Sequence, residues 1–248
     1  MEIRKYPTSR EASRQAAMYG ARELSRAIQC RDEACAVLAT GASQFEMYEA
    51  LVQQPVDWSA VTAFALDEYL GLSADHPACF RRYLEERFVS KVSRLKAFQA
   101  IDGTTATLEE ECRRLAESIA EHPVDVAFLG IGENGHIAFN DPPADFTIDS
   151  PYLIVSLDRA CRRQQFAEGW FLSIEAVPSR AISMSITQIM KSRLIVCTVP
   201  EERKAVAVRN ALEGPVTNLV PASILQRHPR CRIFLDEDSA RLLSETAV

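Results

Sequence analysis

The chain lacks the features that would carry it into or across a membrane. Its N-terminal MEIRKYPTSREASRQAAMYGAREL has no apolar core of the roughly 7 to 15 residues a signal peptide needs. No later window approaches the roughly 18 apolar residues of a membrane span. Seven cysteines, spread from Cys30 to Cys231, form no C-x-x-C pair. This argues against a disulfide framework or a zinc site and for reduced thiols packed as small hydrophobes. No basic stripe is present, and a net charge of -6 with a pI near 5.4 argues against nucleic acid as the main partner. No Pro/Gly/Ser-rich linker, composition shift, internal repeat or low-complexity tract divides the 248 residues. The expectation is one domain, residues 1–248, in a soluble cytoplasmic protein.

What is there is an alternation of apolar runs and amphipathic stretches, the pattern of a parallel sheet flanked by helices. Strands are expected at 34–39, 61–66, 124–131, 152–157, 194–199 and 232–235, and helices at 9–28, 44–53, 79–88, 108–120, 159–170, 201–212 and 222–227. The fold class is therefore α/β, a modified Rossmann-like parallel sheet with helices on both faces. Thr8-x-x-Glu11, Ser43-x-x-Glu46 and Thr107-x-x-Glu110 each fit a capping box.

Four strand ends carry polar groups. In Val124 to Pro143, VDVAFLGIGENGHIAFNDPP, a buried-strand run breaks at Gly130, Gly132 and Gly135 and then presents His136, Asn140 and Asp141. Imidazole exchanges protons near neutral pH, and a carboxylate such as Asp141 can fix its tautomer. His76 and His228 precede prolines and His122 lies near a helix end, so these three read as structural or solvent-exposed. Thr40-Gly41-Ala42-Ser43 sits between strand and helix, where free N–H groups form an anion site, unless Gly41 merely turns the chain and Ser43 merely caps. Asp67 and Glu68 follow an apolar strand and point in opposite directions, so one is catalytic and one structural, or both belong to a solvated acidic turn. Arg203 and Lys204 oppose the dipole at the helix start after Pro200, a conflict that a bound anion, or pairing with Glu201 and Glu202, would remove.

LDEYLGL at 66–72, HPACF at 76–80, GIGENGHIAFNDP at 130–142, RKAVAVRNALEGPV at 203–216 and PASILQRHP at 221–229 resemble the glucosamine-6-phosphate deaminase/isomerase family. That family belongs to a wider group that also contains 6-phosphogluconolactonases, whose sequences look like GHTASLFP where this chain has GHIAFN. The resemblance implies aldose–ketose isomerisation of glucosamine 6-phosphate to fructose 6-phosphate with loss of ammonia, without metal or organic cofactor. By the same resemblance His136 is the general acid/base that opens the ring, Asp67 moves the proton from C2 to C1, and Asp141 orients His136. It implies that Gly41, Ala42, Ser43 and Lys204 hold the phosphate.

The departures from the family are equally specific. Asn134 stands where well-known members carry Asp, and Asp141 stands where they carry Glu. Gln165 occupies the place of a phosphate-binding arginine, for which Arg163 is the substitute candidate, and Gln44 replaces a proline in the first phosphate loop. The implied partner is a small phosphosugar, with no nucleic acid and no membrane, and a homo-oligomer is compatible with the sequence. A lactonase-like hydrolase, a deaminase for another hexosamine 6-phosphate and a non-enzymatic sugar-phosphate sensor are the competing readings.

Overall fold

Five consecutive buried residues in each of Ala34–Leu38, Val61–Ala65 and Ile195–Val199 decide the architecture. Because side chains alternate across a strand, such runs require cover on both faces of the sheet. The computed structural model describes residues 1–244 and meets this requirement with strands β1 (Glu2–Tyr6), β2 (Ala34–Leu38), β3 (Val61–Ala65), β4 (Asp67–Tyr69), β5 (Ala97–Gln99), β6 (Val126–Leu129), β7 (Tyr152–Ser156), β8 (Arg180–Met184), β9 (Ile195–Val199) and β10 (Cys231–Asp236). The helices are α1 (Ser9–Arg31), α2 (Phe45–Leu51), α3 (Phe80–Leu84), α4 (Leu108–Ala120), α5 (Arg159–Ala167), α6 (Ile186–Met190) and α7 (Ala205–Leu212). Among the described residues no helix is long and apolar enough to cross a membrane.

Seven strands form a parallel sheet in the order β1-β10-β9-β6-β2-β3-β5. From β2 the chain winds outward through β3 to β5, then returns to β6 on the other side of β2 and winds outward again through β9 and β10. The direction reverses between β2 and β6, so the carboxyl ends of these neighbours flank the crevice where open α/β sheets bind ligands.

The expected strand at 152–157 forms, but not in this sheet. β7 pairs antiparallel with β8, and β8 with β4, in a separate three-stranded sheet. The two sheets meet at Leu66, whose N–H donates to Leu38 O and whose carbonyl accepts from Met184 N. Asp67 is thus the residue at which the chain passes from the parallel sheet into the antiparallel one. β1, β4, β5, β8 and α6 are absent from the sequence expectation. The expected helix at 79–88 ends as a π-turn, 159–170 stops at Ala167, and the segment at 222–227 is a 3-10 helix beginning at Pro221.

Of the three expected capping boxes, Thr8 accepts the Glu11 N–H. Glu46 is drawn away from Ser43 to the start of α1, where it accepts from Ser9 Oγ at 2.6 Å, and Ser43 lies inside a 3-10 turn, Ala42–Gln44. The Thr107 hydroxyl turns toward Thr105 instead of capping α4.

Helix α1 approaches the sheet through a stripe of small residues, Ala12, Ala16, Ala17, Gly20 and Ala21, all buried. A Cβ at position 20 would stand 2.3 Å from Phe128 Cε1 in β6. Gly20→Val is therefore expected to destabilise the fold by about 2 kcal/mol through overpacking, read as a lower urea midpoint at unchanged slope.

Candidate active site

The four strand ends singled out in the sequence line one cleft. Thr40, Gly41 and Ser43 reach it from β2, Asp67 from β3 and β4, Gly132 and His136 from β6, and Lys204 from β9. The cleft encloses ≈ 490 Å³ counting its open mouth.

Asp67 and Glu68 divide as alternation along an extended segment demands. Glu68 turns to the start of α3, where its carboxylate accepts from Phe80 N at 3.1 Å, Arg81 N at 2.7 Å and Cys79 Sγ at 3.4 Å, besides Tyr69 N. Burial pushes its pKa up, and these N–H groups restrain the rise. Asp67 faces the cleft with Oδ1 buried and, among the described residues, without a hydrogen-bond partner. Burial, reinforced by the neighbouring Glu68, pushes its carboxyl well above the usual range. An unpaired buried carboxylate is costly to a fold, and its raised basicity marks it as a candidate proton acceptor.

His136 is held by a turn in which Gly132 N donates to His136 O and Gly135 N to Gly132 O, each at 2.9 Å. Gly135 has φ 85°, the left-handed region that glycine enters freely. His136 Nδ1 stands 3.2 Å from Asp141 Oδ1, close enough for charge attraction but out of line for a straight hydrogen bond. Nε2 is then the ring nitrogen free to act toward the cleft. Burial alone would raise the Asp141 pKa. Attraction to His136, the Asp158 N–H at 2.9 Å and the Asn134 amide at 3.0 Å outweigh it and hold Asp141 below the usual range.

Asn134 does not line the cleft. Its Oδ1 accepts from His136 N at 3.1 Å, while its Nδ2 lies between Asp141 and Asp158. An amide satisfies both carboxylates there, whereas an aspartate would crowd a third one against them. Asn140, in the same expected polar cluster, donates to Ile137 O and Met184 O and fastens the turn to β8.

Lys204 is buried, lines the cleft and, among the described residues, has no carboxylate within ion-pair distance. Burial, with Arg203 beside it, brings its pKa down to about 8, opposed by the more distant Glu168, Glu133 and Glu201. Arg203 itself pairs with Glu133 at 3.0 Å and Glu201 at 2.6 Å. Gly41, with φ 105°, opens the 3-10 turn Ala42–Gln44, whose first N–H groups have no intrahelical acceptor. Ala42 belongs to this turn without lining the cleft through its side chain.

Arg163 is exposed and lies outside the cleft, so it drops out of the site. Arg162 is committed elsewhere, to Val177 O at 3.1 Å and Ile174 O at 2.8 Å. The face of α5 turned to the cleft presents Gln164 and Gln165 instead, followed by Glu168. Gln164 accepts from Glu133 N at 2.8 Å and Gln165 from Tyr69 Oη at 2.7 Å. Gln164, Glu168 and Phe80 were not singled out in the sequence, where Gln165 had drawn notice only as a missing arginine. The other histidines are structural: His228 bonds Ser192 O, His122 bonds Ser118 O, and His76 accepts from Ala78 N.

Residues 7–233 match the model of the family described as glucosamine-6-phosphate isomerases/6-phosphogluconolactonase. A glucosamine-6-phosphate deaminase of Lactobacillus delbrueckii subsp. bulgaricus is 40% identical over 208 residues, covering 83% of this chain and 86% of that protein. One from Exiguobacterium sibiricum is 40% identical over 210 residues, covering 85% and 81%. Among solved structures, a monomeric glucosamine-6-phosphate deaminase superposes with a TM-score of 0.87 at 31% identity, covering 98% of this chain and all of the other. A 6-phosphogluconolactonase from Shewanella baltica, 22% identical over 95% of this chain and 97% of its own, shares the fold with a TM-score of 0.78. With the sheet order, the cleft and these matches in agreement, the chain belongs to the glucosamine-6-phosphate isomerase/6-phosphogluconolactonase family.

Proposed function

We propose that the protein converts glucosamine 6-phosphate and water to fructose 6-phosphate and ammonia. The observation that carries this reading is the convergence on one cleft of an unpartnered buried carboxylate, a carboxylate-backed imidazole and a buried, unpaired ammonium. The phosphate sits on the Gly41–Ser43 turn and Lys204, where N–H groups give direction and the ammonium gives charge. His136, positioned by Asp141 and Asn134, takes the O1 proton and delivers one to the ring oxygen, opening the sugar to an aldehyde. Asp67 then removes the acidified C2 proton and returns it to C1. This leaves a C2 imine, which water hydrolyses to the ketone with release of ammonia. The substrate is a small phosphosugar, and neither nucleic acid nor membrane takes part.

Incubation with glucosamine 6-phosphate is expected to yield ammonium and fructose 6-phosphate in equal amounts. No ammonium, with rapid hydrolysis of 6-phosphogluconolactone, would overturn the assignment.

Lys204→Met is expected to raise KM by about 10- to 100-fold, the loss of a charge-assisted contact worth about 1.5–3 kcal/mol. Because the folded pKa is depressed to about 8, the wild-type kcat/KM should fall as pH rises through that value, and this limb should vanish in the variant. The same depression makes the charged lysine a burden on the fold at neutral pH, so Lys204→Met should also melt higher there. An unchanged KM, measured at pH 7, would remove Lys204 from the phosphate site.

A further inference from the structure

At His136, which lines the substrate cleft, two further groups of ligand type, Asp141 and Cys161, converge from outside that lining. A ring nitrogen of His136, an Asp141 oxygen and Cys161 Sγ all lie within 4.8 Å of one another, and Nδ1 is the nitrogen 3.2 Å from Asp141 Oδ1. His136 is 7% exposed, and its Nδ1 makes no hydrogen bond among the described residues. Cys161 is fully buried at the start of α5. A second cavity, ≈ 860 Å³ with its open mouth, is lined by Asp141, which does not line the substrate cleft. Asp141, Asp145 and Asp158 line it and no lysine or arginine does, so its field draws cations inward.

We propose that His136 Nδ1, Asp141 and Cys161 form an inhibitory site for a borderline-soft divalent cation of the zinc type, reached through this acidic cavity and not through the substrate cleft. One nitrogen, one oxygen and one sulfur ligand suit zinc, with water in the fourth position. Magnesium and calcium, which prefer six or more oxygen ligands, do not fit. Nδ1 and Asp141 Oδ1 already stand 3.2 Å apart, near the separation of ligands on one tetrahedral ion. Binding sends the Cys161 S–H proton to solvent and moves the imidazole proton from Nδ1 to Nε2. His136 then has no lone pair to turn toward the sugar, and Asp141 is diverted to the metal. Because metal and substrate enter by different mouths, inhibition lowers kcat and leaves KM unchanged. This consequence rests on the proposed function, whereas the binding itself does not.

The test uses the full chain carrying Cys30→Ser and Cys112→Ser, which remove the two thiols that are not buried, after chelator treatment and dialysis. Titration with cobalt(II) alone should give one bound equivalent and a thiolate-to-cobalt charge-transfer absorption that zinc displaces and magnesium does not. Absence of that absorption overturns the proposal, and this parent protein decides the matter even if the next variant does not fold. Adding Cys161→Ser should abolish the absorption and weaken zinc binding by about tenfold or more. Absorption surviving in that variant also overturns the site. One equivalent of zinc should lower ammonium release at saturating substrate about tenfold or more, the cost of silencing a general acid/base. Zinc inhibition relieved by more substrate would overturn the separate access. A protein that binds cobalt as described but never releases ammonium refutes the enzymatic reading and leaves the metal site standing.

Discussion

Asp67→Asn is expected to lower kcat/KM about a thousandfold, within the range for a lost general base, while making the protein more stable at neutral pH. The two effects share one cause. Asp67 is 6% exposed, Oδ1 is unpartnered, and the carboxyl titrates well above the usual range because of burial first and Glu68 second. An acid whose folded pKa exceeds its unfolded one contributes stability below the unfolded value and loses it as pH rises through the folded value. At neutral pH, above the unfolded-state value, the raised pKa of Asp67 is therefore a cost to the fold. A neutral amide of the same shape removes that cost, a gain of about 1–3 kcal/mol on the scale of an unsatisfied buried group. Urea melts at pH 7 should show the gain, and melts below the ordinary aspartate range should not. In the wild type, kcat/KM should fall as pH drops through the raised pKa of Asp67, above the usual carboxylate range. A variant retaining a tenth or more of wild-type kcat/KM, about 1.4 kcal/mol of barrier, would remove Asp67 as the base.

Glu68 supplies the contrast. It is as buried as Asp67, yet its oxygens are occupied by the start of α3. Sequence alternation assigned opposite directions to the two acids, and only the packing of α3 shows which one faces the cleft.

The residues legible in the sequence are those on strand-to-helix junctions of the parallel sheet. A buried run followed by glycines or an acid places its next few side chains at the carboxyl edge, so Gly41, Ser43, His136, Lys204 and the pair Asp67 and Glu68 could be singled out before any contact was known, the choice of Asp67 coming from the family resemblance. The second sheet was illegible for a physical reason. β4 has three residues, and β7 and β8 reach it from far along the chain, so no local periodicity distinguishes them from strands of the main sheet. Gln164, Gln165 and Glu168 enter the cleft from the flank of a helix, an approach set by how α5 docks. The same docking exposes Arg163, ties Arg162 to backbone carbonyls and carries Cys161 to Asp141. Rotation of a helix about its axis is a tertiary property, and the sequence of α5 is charged or polar on more than one side.

Gly132→Ala is expected to lower kcat about a hundredfold with a smaller change in KM, although the substituted residue carries no chemistry of its own. A Cβ at position 132 would lie 2.3 Å from His136 Cε1, 2.4 Å from Nε2 and 2.5 Å from Nδ1, directly against the imidazole face. Position 132 is not in the left-handed region, so alanine meets no backbone strain and the contact must be relieved by moving the ring. With Asp141 beside its Nδ1 edge, the imidazole relieves the contact by tilting out of register with the sugar oxygens. A displacement of about 1 Å at a reacting group is enough for a hundredfold loss. Gly41, Ser43 and Lys204, proposed above to hold the phosphate, line the cleft from other strand ends, which is why KM should change less. Circular dichroism and thermal melting separate this outcome from simple unfolding, since the Gly132 N–H to His136 O bond needs no side chain at 132. A folded variant with kcat within about threefold of wild type, under 1 kcal/mol of barrier, would mean that the placement of His136 is not what the turn is built to secure.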